Sequence, residues 1–238
     1  MGNPSFTLTG AQRQGAIMKN LRRAITGAAV SAALASTASA GVIVSATSAT
    51  ASSTFGSNTP ITNTIDQSGL SAGYASGVDD FDAYLTANPT HDLVFTEEWF
   101  TENGVAEASV DYDLGSVMTI GSLALWHEDA AGFTTAALSF SLDGVTYVPL
   151  TTIMPANNSA NTDYGAQRFD FAAVALRYLR LDLSGCPKED NNGFLGCGIG
   201  EVAFNRVADG MNAVPLPGAA LLFGPALMGL GALRRARR

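Results

Sequence analysis

The residues of this 238-residue chain with chemistry to offer are two histidines, two cysteines, two tryptophans and 21 carboxylates. His91 and His127 are far apart, and neither belongs to an H-E-x-x-H or similar pair, so zinc-ligand spacing is missing. His127 precedes Glu128 and Asp129, in form an acid–base or metal arrangement, but just past a strand it reads better as a solvated loop. Pairs such as Glu97-Glu98 have the residue types of a glycosidase, yet among 21 acids adjacent pairs arise by chance. The chain therefore reads as non-enzymatic, with a hydrolase as the remoter alternative. Cys186 and Cys197 bracket PKEDNNGFLG. With no C-x-x-C and no further zinc-type ligands, they read as a structural disulfide in an exported chain. Trp126 ends an apolar strand and reads as core; Trp99, in a loop after Glu97-Glu98, is either a loop anchor or a sugar-stacking face.

Charge narrows the partners. Eight of the 13 basic residues sit at the two ends of the chain, and all 21 acidic ones lie between Asp66 and Asp209. The body is strongly acidic, which repels phosphate backbones and argues against nucleic acid. It suits divalent cations or solubility.

Both ends look like addresses. Lys19, Arg22 and Arg23 precede an alanine-rich apolar stretch, and Ala38-Ser39-Ala40 is a small-residue cleavage site. That order is a secretory signal peptide over 18–40, with the cut before Gly41. Residues 1–17 do not fit the signal and read as an upstream over-call from a true start at Met18. At the other end, 213–233 is long enough to cross a bilayer, which takes about 20 apolar residues. Arg234, Arg235, Arg237 and Arg238 follow it and favour the cytoplasmic side. The expected topology is an exported body with its tail held in the membrane.

The elements between these ends are short and alternating. Ser109 to Leu114, Ile120 to Trp126, Ala137 to Leu142, Thr146 to Thr151, Arg168 to Phe171, Arg177 to Leu183 and Ile199 to Phe204 read as strands. Ile120 to Trp126 is apolar on both faces at its end, and Asp143-Gly144 marks a hairpin turn. No 3.6-residue amphipathic period is found. Residues 42–107 are less regular, and Ser45 to Thr62 reads as a flexible leader or an edge strand. The prediction is one antiparallel sandwich over 41–212.

Two resemblances add to this. Val214-Pro215-Leu216-Pro217, an apolar run and a terminal arginine cluster resemble the VPLPA variant of the PEP-CTERM sorting signal, with Gly218 where the usual motif has Ala. That resemblance implies an exosortase-type sorting enzyme as partner. It also implies a Gram-negative cell envelope, surface or secreted destination, with transient anchoring in the inner membrane. Within the body, Val110-Asp-Tyr-Asp-Leu-Gly115, Thr119 to Trp126, Leu138-Ser-Phe-Ser-Leu-Asp-Gly-Val-Thr-Tyr-Val148, Arg177-Tyr-Leu-Arg-Leu181 and Gly200-Glu-Val-Ala-Phe204 resemble, in order, strands of the discoidin-like (coagulation factor type C) family. This implies an all-β, galactose-binding-like jelly-roll sandwich. It also implies a binding module, with carbohydrate or extracellular polysaccharide as ligand; a structural matrix protein is the alternative. Members of that family often hold a structural calcium, and the matching positions are Asp66, in Ile65-Asp66-Gln67-Ser68-Gly69, and Glu201. The usual Asp-Gly is here Asp66-Gln67, and the 69–101 segment is longer than usual. Asp79-Asp80-Phe81-Asp82 has no EF-hand spacing.

Overall fold

The computed structural model describes residues 41–127, 131–158, 162–188 and 193–207. The expected signal peptide with Ala38 and Ala40, and the expected sorting segment from Val214 to Arg238, lie outside the described residues. Among the described residues no helix is long and apolar enough to cross a membrane.

Among the described residues there are eleven strands, one short α-helix and two single-turn 3-10 helices (Ile61–Thr64 and Phe95–Glu97): β1 Val42–Val44, β2 Ser48–Ala51, α1 Phe81–Thr86, β3 Thr90–His91, β4 Trp99–Phe100, β5 Glu107–Trp126, β6 Thr135–Ser141, β7 Val148–Ile153, β8 Tyr164–Gly165, β9 Gln167–Ser184, β10 Gly198–Ile199 and β11 Glu201–Arg206. The main antiparallel sheet runs β1-β11-β5-β9-β6-β7, with β2 also beside β5. Pairs of segments that read separately in the sequence are joined in β5 and β9. Their shared ladder breaks between Asp113 and Met118, where Gly115 has φ +80 and its N–H is taken by Asp113 Oδ1. The two halves therefore carry different neighbours. The first half of β5 and the second half of β9 lie with β2, β6 and β7; the other halves lie with β11 and β1.

Alternation supplies the core between these layers. Val110, Tyr112, Leu114, Leu138, Leu179, Leu181 and Leu183 come from one layer, and Leu123, Leu125, Val202 and Phe204 from the other, in one buried cluster. Burial of side chains this size makes a Leu→Ala change cost about 2–5 kcal/mol. The second layer is buried on its outer side as well. Ala124, Trp126, Ala203 and Ile43 pack there against Tyr74, Phe81 and Tyr164. This explains why Ile120 to Trp126 has no polar face: the long 69–101 segment covers it.

Asp79-Asp80-Phe81-Asp82 opens α1, with Asp80 accepting from Ala83 N as its N-cap, so the acidic cluster is partly a helix start. One strand expectation is corrected. The β6–β7 turn is longer than a two-residue hairpin, with β7 starting at Val148 and not at Thr146. Asp143 Oδ1 organises it by accepting from Val145 N, Thr146 N and Ser141 Oγ.

Candidate functional site

One end of the sandwich is built from loops, and a covalent bond fixes their relation. Cys186 and Cys197 form the expected disulfide. Cys197 N donates to Thr101 Oγ1 (2.8 Å), Thr101 N to Cys197 O (2.9 Å), and Gly104 N to Leu195 O (2.6 Å). With β4 paired to β10, residues 193–199 thus lie along 99–105. This brings Phe194 edge-on to Phe100 (5.7 Å between ring centroids) and to Phe55 (6.0 Å). Phe95 stacks on Phe100 at 5.0 Å, and Phe55 meets Phe95 edge-on at 5.7 Å. Phe100 is buried, whereas Phe55 is 39% exposed and Phe95 45%. Three loops thus hold two exposed rings, Phe55 and Phe95, and the half-buried Phe194 over one buried ring, with exposed Leu93, Val94 and Leu195 as further apolar groups of these loops. Exposed apolar groups collected this way mark a binding surface.

A carboxylate site lies beside the same loops. Glu201 is wholly buried at the start of β11. Its Oε2 accepts from Gln67 N (3.1 Å) and its Oε1 from Tyr74 Oη (3.3 Å). It forms no ion pair among the described residues. Burial pushes its carboxyl well above the usual range; the Gln67 N–H opposes this, the charge of nearby Asp66 adds to it, and the Tyr74 hydroxyl opposes it. Tyr84 is raised in turn to about 12 by its own burial and then by Glu201. Asp66 is exposed, and its Oδ1 accepts from Ser68 N (2.9 Å) in a turn where Gln67 has φ +66. Ser68 Oγ reaches Glu97 O (3.4 Å), while Asn63 Nδ2 donates to Thr96 O and Glu98 O (2.9 Å each), so the 60–68 segment supports the loop carrying Phe95.

The structure brings Asp66 and Glu201 together. A buried carboxylate with no counter-charge beside a second carboxylate and an irregular turn is a donor set that suits a hard cation. No group of three or more His, Cys, Asp or Glu side chains is placed for a metal among the described residues, so backbone carbonyls would have to complete the shell.

Other candidates resolve differently. Trp99 is wholly buried with its indole N–H on Thr54 Oγ1 (3.1 Å), so it anchors the loop and offers no face to a sugar. Trp126 is core as expected, donating to Pro89 O. His127 is not in a solvated loop: it is buried, Nε2 accepts from Phe133 N (2.8 Å), and burial, with Lys188 adding, lowers its pKa to about 4. Glu97 and Glu98 have separate partners. Glu98 is buried and accepts from Tyr164 Oη, while Glu97 is half-buried and raised chiefly by its hydrogen bond with Asp92. Sequence reasoning missed Phe55, Phe95 and Phe194. Their signal was an aromatic outside any alternating run: Phe55 follows Ser-Ser-Thr and precedes Gly56, and Phe194 interrupts a polar loop.

The opposite surface is strand-built. A depression of about 210 Å³ is lined by Ser48, Thr50, Asp111, Asp113, Tyr147 and Tyr178 among others. Each aspartate takes a two-pronged pair: Asp111 with Arg180 (2.8 and 2.9 Å) and Asp113 with Arg177 (2.9 and 2.9 Å).

A sequence model of the F5/8 type C domain matches residues 48–197. No curated protein matches. Among solved structures, the family 32 carbohydrate-binding module of C. perfringens NanJ, in complex with galactose, is 11% identical with a TM-score of 0.47, covering 70% of this chain and 99% of that one. The module of AlyQ in complex with 4,5-unsaturated mannuronic acid is 21% identical with a TM-score of 0.44, covering 68% and 96%. Chitosan-binding module 1 of a chitosanase/glucanase from Paenibacillus sp. IK-5 is 19% identical with a TM-score of 0.43, covering 68% and 95%.

Proposed function

The chain belongs to the F5/8 type C domain family, and from that premise we propose that it is an exported, non-enzymatic binding module whose loop end holds a carbohydrate. The observation that carries this is the set of rings gathered from three loops over Phe100: exposed Phe55 and Phe95, and half-buried Phe194. Sugar C–H faces are apolar and stack on such rings, while exposed Ser57 and Asn58, in the Phe55 loop, supply hydrogen-bonding groups. A rigid floor matters because ordering loops on binding costs affinity. The disulfide and the 99–105 contacts supply that floor.

In the same reading, a calcium ion held by Asp66, Glu201 and carbonyls of the 65–69 turn neutralises the buried carboxylate and stiffens the support of the Phe95 loop. The signal over 18–40 and the Val214 to Arg238 tail then give export, transient inner-membrane anchoring and handling by an exosortase-type enzyme at a Gram-negative envelope. Support for these is the order of charge, apolar run and motif along the sequence.

The test is retention of the protein on a glycan array and on immobilised extracellular polysaccharide. Wild type is expected to bind, and Phe95→Ala and Phe194→Ala each to weaken binding about tenfold or more, the loss of roughly one stacked ring, while both variants still unfold cooperatively. Leu142→Ala, at the remote β6–β7 turn, is expected to bind as wild type. Failure of wild type to hold any glycan, with self-association abolished by Phe95→Ala, would replace this reading with the matrix-protein alternative.

A further inference from the structure

We propose that Gly41 is built to be a chain terminus, and that the ammonium group freed by cleavage after Ala40 docks on the side chain of Asn205. This rests on the export reading above and goes beyond it by giving the cleaved end a receptor within the fold.

Gly41 is buried at the head of β1. Its carbonyl accepts from Phe81 N (2.9 Å), and the next residue, Val42, is registered against Arg206 on β11 and bridged to Asp80. A Cβ at position 41 would stand 1.7 Å from Asn205 Oδ1 and 2.6 Å from its Cγ, so no residue but glycine fits without displacing Asn205. Asn205 is itself buried, and its Nδ2 donates to Ser122 Oγ (3.0 Å). Its Oδ1 is buried with no hydrogen-bond partner. A buried acceptor left without a donor is costly, and such groups are rare in folded proteins.

Backbone geometry places the missing donor. A Cβ lies about 2.5 Å from its own nitrogen, so Gly41 N is within about 4 Å of that oxygen. In an uncut chain this nitrogen has one N–H, whose direction the planar peptide bond dictates. Hydrolysis of the Ala40–Gly41 bond adds water across it, leaving a carboxylate on Ala40 and an amine on Gly41 that takes up a proton. The resulting ammonium has three donors free to rotate, so one can turn to Oδ1. The nearby acids are already engaged: Asp79 Oδ2 accepts from Ala75 N (2.7 Å) and Asp80 Oδ1 from Ala83 N (2.7 Å). Asn205 is the acceptor left unspent. Cleavage before this glycine therefore does more than remove an address: it completes a hydrogen-bonding site that locks β1, the first strand, onto β11, the last.

The experiment compares the exported protein with the uncut full chain made without export. N-terminal sequencing of the exported form is expected to begin at Gly41; a start elsewhere overturns the proposal. The exported form is expected to melt about 2–4 °C higher, the scale of one recovered hydrogen bond in a domain of this size. Asn205→Ala should erase that excess, and an equal excess in wild type and variant overturns the proposal. Asn205→Asp separates docking from mere packing, because it gives the ammonium a carboxylate partner after the cut but leaves a buried charge facing a single N–H before it. The excess is expected to widen in Asn205→Asp, and an unchanged or smaller excess rejects docking. None of these readouts involves glycan, so they stand apart from the test of Phe95 and Phe194.

Discussion

Two acidic regions of this molecule meet their charges in opposite ways. On the strand-built face, Asp111 and Asp113 sit across from β9 and each takes a guanidinium from it. At the loop-built end, Glu201 is buried with an amide N–H and a phenol for company, and Asp66 adds a second negative charge. The first region is complete within the chain. The second has its carboxyl pushed up by burial, which means that the charged form is disfavoured there. A regular ladder repeats its geometry, so partners can be supplied by alternation. Loops have no such repeat, and the buried carboxyl there finds no cationic side chain among the described residues.

The largest effect should come from uncoupling the loop end. Replacing both Cys186 and Cys197 by Ser is expected to cost about 3 kcal/mol, from the released closure of a short loop. Denaturant unfolding measures it, and glycan retention through Phe194 should fall with it. The face that holds Asp111 and Asp113 should keep its exchange-protected amides. Loss of protection there as well would show that the two regions are not separable.

Calcium comes next. A ligand that binds only the folded form adds about 2.7 kcal/mol at a hundred times its Kd. Melting should rise with calcium in wild type and not in Asp66→Ala or Glu201→Ala, and magnesium should substitute poorly. An identical curve in calcium and in chelator would leave Glu201 a buried acid and the contrast between the regions unsupported.

A smaller effect tests the same carboxylate by pH. Its folded pKa is raised, so without a cation the folded form holds a proton that the unfolded form has lost. Stability in chelator should therefore fall as pH rises from the ordinary Glu value towards the folded one, and be regained on acidification. Glu201→Gln should flatten that part of the profile and be the more stable protein at neutral pH in chelator, because the amide has no proton to lose. A wild-type profile no steeper than the variant's would count against it. The smallest effect belongs to the strand face. Arg180→Ala leaves a half-exposed Asp111 and should cost under about 1 kcal/mol, with no change in the calcium response.

Much of the strand order was legible because alternation reports burial directly. Val110, Tyr112 and Leu114 face inward as their spacing predicts, and Trp126 is core because its strand has apolar residues on both faces. The Cys186–Cys197 bond was legible from count and spacing. The pairing of Asp66 with Glu201 came from family resemblance, and the Gln67 N–H on Glu201 places the turn that carries Asp66 against the start of β11. The aromatic site was not legible. Trp99 read as either a loop anchor or a sugar-stacking face; β4 makes it the anchor, turned into the core, while its neighbours Phe95 and Phe100 build the platform. His127 was misread for a related reason: a polar residue after a strand is usually wet, but here the β5–β6 connection folds back and Phe133 N closes over it.

What the sequence determined by itself is what depends on neighbours along the chain: the period-two faces of β5, β6 and β9, the turn at Asp143-Gly144, the segregation of charge, and the order of the two terminal address patterns. What only the tertiary structure decided is what depends on segments far apart meeting. Phe55, Phe95 and Phe194 become one surface because a disulfide and backbone hydrogen bonds bring three loops together from distant parts of the chain. Glu201 becomes a buried carboxyl because a turn 134 residues away lies over it. Gly41 becomes the one residue that fits because Asn205 fills the space a side chain would need. Local pattern encodes which face is buried, but not which distant atom will be found there.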